Sequence, residues 1–89
     1  MHPLLVLLDK YRIPWDNAQD DSEEGFHVAG PLPSGDRYNL WADRCGDWEL
    51  WDGRRRHTGS TEPELVYDMA FSALLCMYGR REGPLPTTE

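Results

Sequence analysis

Apolar residues recur along this chain in two different periods. Leu4, Leu7, Leu8 and Tyr11 are spaced to share one helical face, with Asp9 and Lys10 opposite. This predicts a helix over residues 3–12. Pro3 suits its first position, where a missing N–H costs nothing. A buried strand through residues 4–8 is the rival assignment. Helix is preferred because leucine outnumbers β-branched residues there. Pro14 ends the helix by pushing Ile13 toward extended geometry.

From Gly25 onward the period shortens to two. Residues 26–29, 37–43, 48–51 and 54–58 read as four short strands of a β-meander. In residues 37–43, alternation puts Tyr38, Leu40 and Ala42 on one face and Asn39, Trp41 and Asp43 on the other. Trp48 and Leu50 share a face, opposite Glu49 and Trp51. Residues 30–36 are a glycine- and proline-rich connection. Residues 44–47 form a second one. Asp52-Gly53 marks a two-residue hairpin turn, because it supplies the positive φ angles that such turns need.

The helical period returns over residues 61–78. Thr61 and Glu64 have capping-box spacing. Val66, Met69, Ala70, Ala73, Leu74 and Met77 form a broad apolar face, with Glu64, Asp68 and Ser72 as the polar stripe. Phe71 and Leu75 lie on or beside that stripe. They are the residues predicted to mediate self-association as a homodimer. Gly79 is the expected stop. Residues 15–24 show no apolar period and read as an acidic loop. Residues 82–89 read as a disordered tail. The expected architecture is one α+β domain over residues 1–81: an antiparallel meander of three to four strands with both helices packed on one face.

Charge changes the picture more than composition does. The 89-residue chain carries sixteen acids and nine Lys or Arg, a formal charge of −7. Up to Gly53 there are eleven acids against four bases, and beyond it five against five. The whole excess lies in the first half. Direct nucleic-acid binding needs a positive footprint, and an anionic membrane needs the same, so both are disfavoured. A basic protein partner is favoured.

Candidate chemistry is sparse. His2, His27, His57, Cys45 and Cys76 make no pair at metal-ligand spacing, and no cofactor motif is present. Whether Cys45 and Cys76 pair is left open. No signal peptide or membrane span is legible, which makes a cytoplasmic setting the simplest expectation. Arg54-Arg55-Arg56 is the one basic run before the C-terminal helix. In a strand it splits between two faces, so internal pairing with Glu49, Asp52 or the acidic segment is its expected use. The pattern that stands out is acid interleaved with tryptophan: Trp15-Asp16, Trp41-Ala42-Asp43, Asp47-Trp48-Glu49 and Trp51-Asp52. Tryptophans anchor interfaces, and surrounding carboxylates steer cationic partners.

In size, acidity and lack of a catalytic motif the chain is similar to the broad class of small inhibitor proteins. That class includes phage proteins that block bacterial defence nucleoprotein complexes, anti-CRISPR proteins among them, and immunity proteins that neutralise toxins. The similarity implies a non-enzymatic inhibitor of a basic protein. The predicted contacts are Asp16, Asp20, Asp21, Glu23, Glu24, Asp43, Asp47 and Glu49 for charge, and Trp41 and Trp51 as anchors.

Overall fold

The computed structural model describes residues 2–21 and 23–82. Helix α1 is Pro3–Lys10, with Pro3 in the first turn. His2 caps it, its Nδ1 accepting the Leu4 N–H at 3.0 Å. Arg12 closes the helix in the left-handed region, at φ 60. The amides of Ile13 and Arg12 then return to the carbonyls of Leu8 and Asp9. This is the Schellman arrangement, and the buried Ile13 supplies its apolar contact.

Five strands follow in antiparallel meander order: β1 (Asn17–Asp21), β2 (Gly25–Pro31), β3 (Arg37–Asp43), β4 (Asp47–Trp51) and β5 (Arg56–Ser60). A short 3-10 turn (Pro63–Leu65) leads into α2 (Val66–Glu82). The α+β class and the covering of one sheet face by the two helices are as expected.

Four local expectations are corrected. Residues 17–21 are a strand, in register with β2 from Asn17↔Ala29 to Asp21↔Gly25. All but Ala18, which packs partly buried against the core, expose their side chains, so no alternation marks them; the backbone ladder holds them. The β4–β5 connection takes four residues rather than two. Gly53 does adopt positive φ, at 93. However, the Asp52 carboxylate accepts the amides of Arg54 and Arg55 at 2.8 Å each, which holds both arginines in the loop. Thr61 does not cap α2. Its amide donates to the Gly46 carbonyl, and Glu62 precedes the 3-10 turn without a side-chain cap. Finally, α2 runs through Gly79 to Glu82. One helical glycine costs only about 1 kcal/mol, too little to end a helix unaided. Of the tail expected over residues 82–89, Glu82 is instead the last residue of α2, and residues 83–89 lie outside the described residues.

The core lies between the sheet's inner face and the helices. Val28, Tyr38, Leu40, Ala42 and Leu50 from the sheet meet Leu4, Leu8, Val66, Ala70 and Leu74. Burying each large side chain contributes about 1.5–3 kcal/mol. Phe71 belongs to this core. It is 5 % exposed and packs on Tyr11, ring centroids 5.0 Å apart. Leu75 packs partly buried against the same cluster. Phe71 and Leu75, the residues proposed for self-association, thus pack within one chain, whereas Met69, expected on the apolar face of α2, is 44 % exposed.

Candidate functional site

With helices on one face, the sheet turns its other face outward. The strand register lays its residues in rows. One row is Asn17, Ala29, Asn39, Trp51 and Arg56. The next is Gln19, His27, Trp41, Glu49 and Thr58. Below these, Asp21, Gly25 and Asp43 adjoin, and Asp47 faces Ser60. Negative charge gathers toward the end with Asp21, Asp43 and Asp47, while Arg37 and Arg56 occupy the other end. The face is thus electrically graded.

Trp41 stands near its centre, half-buried, and Trp51 lies in the neighbouring row, 41 % exposed. Trp41 walls two shallow grooves. One, of about 590 Å³, is bordered by Asp20, Asp21, Glu23, Glu24 and His27. The other, of about 290 Å³, is bordered by Asp43, Asp47, Glu49 and Ser60. His27 Nε2 lies 3.2 Å from Asn39 Oδ1, a side-chain link between β2 and β3.

The predicted acids divide by what they already hold. Asp21 Oδ1 accepts the amides of Glu23 and Glu24 at 3.2 and 3.3 Å, shaping the β1–β2 turn. Asp43 Oδ1 accepts from Cys45 and Asp47 at 2.9 and 3.0 Å and shapes the β3–β4 turn. Asp47 accepts the Ser60 hydroxyl at 2.6 Å. Glu49 sits 4.0 Å from Arg56, so the expected internal pairing of the arginine run holds for Arg56.

Asp16 is set apart. It takes a bidentate pair from Arg37, at 2.7 and 2.9 Å, and that hydrogen-bonded guanidinium holds its carboxyl below the usual range. Asp20 falls on the helix side of β1 by register, but as an edge residue it still borders the larger groove. Glu23 and Glu24 project from the turn, exposed, with no ion pair among the described residues. The structure therefore brings together Asp20, Asp21, Glu23, Glu24, Trp41, Asp43, Asp47, Glu49 and Trp51, and leaves Asp16 out.

Sequence reasoning passed over Gln19, His27 and Asn39. Alternation in Phe26-His27-Val28 was enough to place His27 on the polar face. Gln19 had no such signal, because its strand has no apolar alternation.

Cys45 and Cys76 are both free and exposed. Among the described residues no three His, Cys, Asp or Glu side chains cluster as a metal set. No helix among them is long and apolar enough to cross a membrane. No family model, curated protein or solved structure matches this chain.

Proposed function

We propose that this protein is a non-enzymatic binder that sets its outer sheet face against a basic surface of another protein and inhibits it by occupying that surface. The supporting observation is Trp41 standing between two grooves edged with carboxylates. A planar apolar group flanked by fixed negative charge suits lysine and arginine side chains. Their stems lie on the indole, and their cationic ends reach the acids on either side. A nucleic-acid-binding protein is the partner class this pattern favours, since its groove already accepts anions at close spacing. Inhibition would then be of the kind by which small acidic proteins block a nucleoprotein complex or a toxin.

The test is affinity capture from the native host with the wild-type protein, the fourfold reversal of Asp20, Asp21, Glu23 and Glu24 to lysine, and Trp41→Ala. Basic proteins retained by the wild type should be lost with either variant and should elute as salt rises, since exposed charges are screened within about 10 Å at 0.1 M. An unchanged set of captured proteins across all three would refute this role for the face.

A further inference from the structure

The helix layer leaves part of the inner sheet face open. Helix α2 packs across β3 and β4 and scarcely reaches β5. On that side β5 offers only His57 and Gly59, paired with Leu50 and Trp48. The Trp48 ring lies against Gly59, where a Cβ would stand 2.6 Å from ring carbons. The indole therefore fills the place of a side chain at position 59 and becomes a wall. Between it and the second half of α2 lies a cleft of about 410 Å³, within the range of about 300–1,000 Å³ usual for small-molecule sites. Trp48, Leu50, Ala73 and Met77 line its apolar side, and Arg54, Arg55 and His57 its mouth.

Two carboxylates also reach that mouth, and both are engaged. Asp52 accepts the amides of Arg54 and Arg55 through Oδ1, and its Oδ2 lies 3.3 Å from His57 Nε2. The backbone bond from Arg55 is the first cause holding its carboxyl below the usual range. Asp36 faces Arg54 at 3.6 Å. The guanidinium of Arg55 has no carboxylate partner among the described residues. In a chain of net charge −7, an apolar cleft whose mouth presents an arginine free of any ion pair among the described residues offers a charged contact to an anion with an apolar body.

We propose that this cleft binds a small amphipathic carboxylate, its aromatic or branched body on Trp48, Leu50, Ala73 and Met77 and its carboxylate on Arg55. The site lies on the inner side of the sheet and shares only Trp48 with the smaller acidic groove, so its contact through Arg55 does not depend on the role of the acidic face.

The experiment is a titration of the full chain, followed by amide and indole N–H resonances, with 3-phenylpropionate and with 3-phenylpropionamide. Saturable shifts at the Trp48 indole, Leu50, Ala73 and Met77 are expected for the acid. The uncharged amide should bind roughly tenfold or more weakly, as expected for loss of a charge-assisted hydrogen bond. Arg55→Gln, at an exposed loop position that leaves the core untouched, should weaken the acid to the same degree, with Arg55→Lys between. Ala73→Leu should block both ligands. Absence of saturable shifts at millimolar acid, equal binding of acid and amide, or indifference to Arg55→Gln would each overturn the proposal.

Discussion

The Tyr38 hydroxyl donates to the Pro14 carbonyl at 2.8 Å. Through this bond the segment between α1 and β1 is fastened to a ring at the centre of the sheet. Tyr38 is fully buried, and burial pushes its phenol far above the usual range, so it donates throughout the working pH range. Tyr38→Phe keeps the ring and leaves the carbonyl unpaired. A loss of about 1–2 kcal/mol is expected, measured as a lower urea midpoint at unchanged slope.

Gly30 lies under the same segment. A Cβ there would stand 2.5 Å from the Pro14 oxygen and 2.8 Å from Trp15 Cα. Both are backbone atoms, which cannot swing aside. Gly30→Ala should therefore cost about 2 kcal/mol or more. Thermal unfolding checks this, and an unchanged midpoint would mean that the segment does not pack so closely.

His2 links stability to pH. Its ring stacks on Phe26, centroids 3.7 Å apart and planes 7° from parallel, and its unprotonated Nδ1 caps α1. Burial lowers its pKa from the ordinary 6.5, against an opposing pull from Asp20. The fold therefore favours the neutral ring. Its contribution is complete above the unfolded pKa and is lost as pH falls through the lower, folded one. His2→Asn can cap without titrating. Urea unfolding of both proteins across that range should show the wild type losing stability relative to the variant as pH drops.

Phe71→Ala separates core from interface. A phenylalanine buried within the monomer should cost about 3–5 kcal/mol on truncation, with no change in the sedimentation coefficient of the folded fraction. A shift in sedimentation with little loss of stability would restore Phe71 to an interface.

Asp16 should matter less to a basic partner than its charge suggests, because Arg37 already holds it. Asp16→Asn is expected to leave the association rate nearly unchanged, whereas Asp21→Asn and Glu24→Gln, whose charges face the larger groove, should each slow it. Stopped-flow rates at low salt make the comparison.

Strands β3 and β4 were legible because half-burial writes itself into alternate residues. Trp41, Glu49 and Trp51 could be placed on the outer face for the same reason. Strand β1 was not legible, since backbone pairing leaves no mark on side chains that stay in water. The grooves depend on that strand, so Gln19 and the position of Asp20 were hidden with it. The arginine run was visible, but its division into two loop arginines and one strand arginine was not. That division follows from the Asp52 carboxylate taking two amides.

By itself the sequence determined what local periodicity and charge can encode. It specified two helices, the central meander, the outward tryptophans and the concentration of acid in the first half, because each depends on neighbours a few residues away. Tertiary structure decided the rest. It paired an acidic segment into a fifth strand, covered Phe71 with Tyr11, withdrew Asp16 to Arg37, and opened a cleft where α2 falls short of β5. Those outcomes depend on contacts between parts of the chain far apart in sequence, whose distances only the packed core sets.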